Sequence, residues 1–232
     1  PLLRRAISLV RSIGGCDSQL AVHIVLDGGN GGGRRQRSLL GRQARGSRWR
    51  SVGGSPGYLV LYEVAGTDVL NSAAYLQRLN QPTPWTAKMM KCYRDMARSL
   101  CRVTASVGQG LGGSAVLVRT AAAEGQDERL RQLLACDVLP RIAAQRGVIA
   151  AHLLESAVPA AMTTEQRIRG NDADLRFTLL ATGFDANEIA GLLAGELKRE
   201  RLRAQGAADA PFVSGTYRLA AVLTANDQLT AA

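Results

Sequence analysis

The sequence predicts an α+β fold made of two β-α-β-β-α-β halves, the first incomplete at its N-terminus. Three observations predict it. Between Gly113 and Ala225, short period-two strands alternate with amphipathic helical stretches in one complete set of that order. Residues 44–112 repeat the later part of the same order. Charge also divides the chain: the first 50 residues carry ten Arg against Asp17 and Asp27, whereas the rest is close to neutral. The net charge of +10 therefore describes the leading segment and not the folded body.

Residues 1–43 are expected to form a poorly defined leader. Ile7 to Val10 and Leu20 to Leu26 have strand character. The run Gly28 to Gly33 and the arginines after it show little apolar periodicity. A glycine-rich run can cradle phosphate only between a strand and a helix, and no amphipathic helix begins here. Residues before about 44 are read as out of frame with, or otherwise unrelated to, the rest of the chain.

Residues 44–112 read as the first, incomplete half. Residues 47–52 and 58–64 make a hairpin across the Gly/Pro cluster 53–57. In the second strand Tyr58, Val60, Tyr62 and Val64 share one face and Leu59, Leu61 and Glu63 the other, so the strand should be covered on both sides. A helix is expected over 68–79. Another starts at Pro84 behind the N-cap Thr83, with Trp85, Met89, Tyr93 and Met96 as its apolar stripe. Residues 100–107 return as a strand, and 108–113 are a linker.

Residues 113–225 read as the second half, followed by a tail, 226–232. Strands are expected at 114–120, 147–155, 175–182 and 212–224. The helix 126–144 buries Leu130, Leu133, Leu134, Val138 and Ile142, and Pro140 should kink it. Asp185 with Glu188 resembles a capping box opening the helix 186–203.

Several classes are excluded or disfavoured. No apolar run reaches the roughly 20 residues of a spanning helix, so no membrane partner is expected. Leu2 to Val10 is interrupted by Arg4 and Arg5, which argues against a cleaved signal segment. Cys16, Cys92, Cys101 and Cys136 lack C-x-x-C spacing and read as reduced thiols of a cytoplasmic protein. Two histidines and scattered cysteines make no zinc set, so no metal is expected. Nucleic-acid binding through Arg34 to Arg50 ranks last among the functional readings, because Trp49 is the only aromatic there to stack on bases.

The runs YLVLYEV, TDVLNSAAYLQRLNQPTPWTAKMM, CRVTASVGQG and GVIAAHLLES resemble the EthD-like, dimeric α+β barrel proteins, most of them uncharacterised and bacterial. The resemblance covers about Ala44 to Ala225. It implies two ferredoxin-like repeats forming a barrel, within one chain or by homodimerisation. The wider superfamily includes cofactor-free monooxygenases, decarboxylases, haem-handling proteins and ligand binders, so the fold does not fix a chemistry. The aromatic and acidic first helix of such proteins is absent, its place being held by GGGRRQRSLLGRQ.

The candidate site is built from the strands. His152 shares a strand face with Val148, Ala150 and Leu154, where it is either a hydrogen-bonded core residue or a ligand-facing acid/base group. Glu63 is the best carboxylate partner for it. Tyr58, Tyr62 and Arg102 are the candidate ligand-binding residues, Arg102 as a partner for Glu63 or for an anion. No cofactor is expected. The expected ligand is a small apolar or aromatic molecule. Whether the protein is an enzyme or a non-catalytic binding or assembly module is left open at this point.

Overall fold

A computed structural model describes residues 19–27, 45–54, 57–64, 93–156 and 175–224, with a few single positions between 77 and 84. Eight strands are present among them: β1 (Gln19–Asp27), β2 (Arg45–Gly54), β3 (Tyr58–Val64), β4 (Tyr93–Gly108), β5 (Ser114–Ala122), β6 (Val148–Ser156), β7 (Phe177–Gly183) and β8 (Ala207–Thr224). They close a barrel in the order β1-β3-β2-β8-β5-β7-β6-β4. From β3 round to β4 every neighbouring pair is antiparallel, giving a curled seven-strand sheet. β1 closes the gap and runs parallel to both neighbours.

The α+β class therefore holds. In the second half the order β8-β5-β7-β6 is wholly antiparallel, as βαββαβ connectivity requires when each helix crosses back over the sheet. The first half has the matching order β4-β1-β3-β2, with β1 reversed. The reversal has a topological consequence. Asp27 pairs with Val64 and Arg45 with Glu63, so β1 ends and β2 begins at the same rim. Their connection joins two strand ends on one side and needs no crossover along the barrel. β1 lies inside the segment expected to stand apart as a leader, at the place where Leu20 to Leu26 had strand character.

The strands are longer than their sequence signals. β4 begins at Tyr93, so Tyr93 and Met96 are strand residues and not part of the helix read from Pro84. A 16-residue strand can override a helical stripe when it finds a partner on each side, here β1 and β6. The residues of the helix read over 68–79 lie outside the described set except Gln77.

The described helices cover the outside of the second half. α1 (Asp127–Leu133) runs through a π-helical turn, Leu134–Val138, into α2 (Leu139–Ala143). The wide turn precedes Pro140, whose missing N–H and bulky ring cannot follow an α-helical register. The expected kink takes this form. α3 (Ala186–Gly191) is capped by Asp185, whose carboxylate accepts from the N–H groups of Asn187 at 2.9 Å and Glu188 at 3.1 Å. The single helix read over 186–203 breaks instead into α3, a set of turns containing Gly195, and α4 (Arg199–Ala204). Glycine in mid-helix costs about 1 kcal/mol, and that favours the break.

Two cores result from strand alternation. The outer one lies between sheet and helices, where Val116, Val118, Leu153, Phe177 and Leu179 meet Leu130, Leu134, Ile142, Ile189 and Leu202. The inner one lines the barrel with Trp49, Leu59, Leu61, Leu117, Leu154 and Leu180. Leu59, Val60 and Leu61 are all buried, so β3 is covered on both faces as its composition predicted. The eight strands close within one chain, and closure needs no second copy.

Candidate functional site

The odd residues of β5 and the even residues of β6 and β7 point into the barrel, and these positions gather the polar groups. His152 is the first. Its Nδ1 lies 2.9 Å from Ser106 Oγ, as donor or acceptor according to the ring tautomer. Ser106 reaches it because of a bulge. The β4–β6 register shifts between Val103 and Ala105, and Thr104 Oγ1 there donates to the Leu153 carbonyl at 3.3 Å. One extra residue reverses the alternation, so Ala105 turns to the outer core while Ser106 turns to the lumen.

Burial is the main reason the His152 pKa falls from the ordinary 6.5 to about 4, with the Arg45 charge adding to it. The imidazole is therefore neutral at pH 7. Glu63 is buried, and Arg45 Nε donates to its Oε1 at 2.7 Å. Burial outweighs that ion pair, so the Glu63 pKa is raised above the usual carboxylate value. Arg45 thus holds Glu63 directly and acts on His152 through its charge. The residue that links the two sequence candidates is one that sequence reading passed over. β2 starts at Arg45, two positions before its expected start, and strand parity puts Arg45 on the face of Ser47 and Trp49.

The other candidates stand elsewhere. Tyr58 and Tyr62 lie on the face of β3 opposite Glu63, and the Arg48 guanidinium stacks over the Tyr58 ring at 5.0 Å. Arg102 is exposed on the outer face of β4, opposite Glu155. Glu155 is itself held by Arg131 through two bonds, 2.7 Å from Nε and 2.9 Å from Nη2. None of the three shares the lumen with His152.

A second polar group in the lumen had no sequence signal. Arg119 of β5 is only 1% exposed, and its Nη2 donates to Ser99 Oγ at 2.5 Å. Around it are Thr178, its register partner on β7, and Cys101 and Tyr217, both reached by its charge. Burial pushes the Cys101 thiol up to about 11, against the pull of Arg119, so it is no ready nucleophile. Trp49 completes the wall; it is fully buried and its Nε1–H donates to Ser47 Oγ at 3.0 Å.

Among the described residues no three His, Cys, Asp or Glu side chains lie together as a metal set. No helix among them is long and apolar enough to cross a membrane. Cys101 and Cys136 are free thiols, the first buried and the second exposed; Cys16 and Cys92 lie outside the described residues.

Comparison with known proteins gives a fold and nothing finer. No family model and no curated protein matches the chain. Among solved structures the chain is similar to the crystal structure of an anthrone oxidase-like protein, with a TM-score of 0.52 and 15% sequence identity over 83% of each chain. At that identity the likeness concerns architecture alone.

Proposed function

We propose that this chain is a ligand-binding barrel of two ferredoxin-like halves, related in design to the EthD-like proteins, whose lumen takes a small, largely apolar or aromatic molecule. The carrying observation is the pair of polar contacts, part-buried His152–Ser106 and Glu63–Arg45, on the inner face of a barrel whose core is otherwise largely apolar. A neutral imidazole can accept a hydrogen bond or a proton from a bound molecule, and burial raises the pKa of the Glu63 carboxylate beside Arg45. In this reading the protein acts in the manner of a cofactor-independent enzyme, with His152 as the proton acceptor and Glu63, set by Arg45, as its polar counterpart. The fold shared with an anthrone oxidase-like protein is compatible with a small-molecule barrel.

A second reading is a binding or assembly module without chemistry. The depressed His152 pKa favours it, since a conjugate acid of pKa about 4 makes a weak base. Trp49 is buried in the lumen and cannot stack on a base, which removes the single aromatic of the basic run Arg34 to Arg50 from the nucleic-acid reading.

The test uses purified full-length protein screened against small aromatic ligands and substrates. His152→Ala is expected to abolish turnover while ligand binding and the unfolding midpoint stay near wild type. Unchanged turnover in a folded His152→Ala variant contradicts the catalytic reading. Absence of any saturable aromatic binding contradicts both.

A further inference from the structure

We propose that the lumen around Arg119 is an anion-binding subsite, built to hold an acidic oxygen of a flat apolar ligand between the Arg119 guanidinium and the hydroxyls of Tyr217 and Thr178. The proposal rests on the reading of the lumen as a ligand site and names the chemistry of the molecule that enters it.

The geometry converges from three strands. Arg119 and Thr178 are directly opposed on β5 and β7, so their side chains rise into the lumen side by side. Tyr217 comes from β8, where it pairs with Ala115, four residues before Arg119 on β5. Its ring lies back over Gly215, where an added Cβ would stand 2.7 Å from the hydroxyl and 3.0 Å from Cζ. Gly215 opposes Leu117 and Val213 opposes Arg119, so a ring lying over Gly215 carries its hydroxyl toward the guanidinium. The Arg119 charge correspondingly acts on the Tyr217 phenol.

The hydroxyls are poised to donate. Tyr217 is 1% exposed and Thr178 fully buried, yet among the described residues neither Tyr217 Oη nor Thr178 Oγ1 has a hydrogen-bond partner. Buried hydroxyls in a native protein are nearly always satisfied, and an unmet one costs its full desolvation. Two of them beside one buried cation are what an oxygen-bearing ligand would complete. Burial holds the Tyr217 pKa well above its ordinary value, so the phenol stays protonated and donates. Guanidinium stays charged at every relevant pH, so the acceptor it favours most is an anion. Leu117, Leu154 and Leu180 around these groups offer only apolar surface, which suits the ring or chain that carries the oxygen.

A carboxylate and a phenolate share this chemistry, and calorimetric titration of the intact protein separates the cases, at pH 7 for the naphthalene probes and at a pH on each side of its ionisation for the phenol. The probes are 2-naphthoate, its neutral isostere 2-naphthamide, and 4-nitrophenol above and below its ionisation. Wild type is expected to bind 2-naphthoate about tenfold more tightly than 2-naphthamide. Tyr217→Phe and Thr178→Val are each expected to weaken 2-naphthoate about three- to tenfold, to leave 2-naphthamide unchanged, and to keep or raise the melting temperature. Arg119→Met is expected to remove the preference for the anion. Should Arg119→Met fail to fold, the two hydroxyl variants carry the test, each being close to isosteric. Tighter 4-nitrophenol binding above its ionisation, with no naphthoate preference, assigns the oxygen to a phenolate and supports the proposal. Equal binding of charged and neutral probes, or an anion preference that survives Tyr217→Phe and Thr178→Val, overturns the subsite while leaving the ligand site standing. Failure of every probe to bind overturns the ligand site itself, and the subsite with it.

Discussion

Replacing His152 with Gln removes a group whose titration should leave a clear mark on stability. In the native barrel its pKa is about 4, against 6.5 in the unfolded chain. Between these values the unfolded state binds a proton that the native state refuses. Stability from this residue is therefore fully present above pH 6.5, falls as pH drops toward 4, and levels off below. A gap of about two and a half pH units at 1.36 kcal/mol each corresponds to about 3 kcal/mol. Glu63 works in the opposite direction. Its raised pKa adds stability below 4.5 that is lost as pH rises through the native value. Subtracting the His152→Gln profile from wild type isolates the histidine from that background. Urea unfolding midpoints at half-unit steps from pH 3.5 to 8 give both profiles. The wild-type-minus-variant difference should shrink by about 3 kcal/mol from pH 7 to pH 4. Parallel profiles across that window would refute the claim that His152 is a desolvated, neutral lumen residue.

Four further outcomes are expected. Trp49→Ala should destabilise by about 3–5 kcal/mol, read from urea midpoints, because a fully buried ring and its bond to Ser47 are lost at once. Gly215→Ala should cost about 1–3 kcal/mol through the clash with the Tyr217 ring, and much less in a Tyr217→Ala background, a coupling that a double-mutant cycle measures. In a Cys16→Ser, Cys92→Ser background a thiol reagent should modify exposed Cys136 in the native protein and reach buried Cys101 only after unfolding. DNA encoding residues 1–43, translated in the other two frames, should reveal an amphipathic helix; two frames without one would sink the reading of that segment as out of frame with the rest.

Much of the second half was legible because its signals are local. The stripe Leu130, Leu134, Val138 and Ile142 named the helix over β6, and all four are buried in the outer core. Asp185 announced the start of α3. The strand of His152 was also readable, but the register shift between Val148 and Ala150 sets Val148 against the outer core, away from the face it was read to share with His152 and Leu154. The features that failed to show depend on distant partners. Ser106 meets His152 only because Thr104 bulges, and a bulge leaves no trace in an apolar pattern. Arg45 read as one more member of the basic run Arg34 to Arg50 until its register with Glu63 made it a lumen residue. Arg119 and Tyr217 sit in runs that read as ordinary strands, and only barrel closure brings β4, β5, β7 and β8 round one space. Tyr58 and Tyr62 were placed correctly by parity, on the face opposite Glu63, but which face lines the barrel is a property of closure and not of the strand. The direction of β1 is another such case, because nothing in nine residues states which way a strand will run.

The measurement that bears most directly on a ligand-binding lumen is the emission of Trp49, which lies in its wall. In a Trp85→Phe background, titration with a small aromatic ligand should give a saturable change in Trp49 fluorescence, and filling the space by Ala115→Phe should abolish it. A Trp49 signal that stays flat, or drifts linearly with ligand whether or not the lumen is filled, would mean that the barrel is a packed core and nothing more.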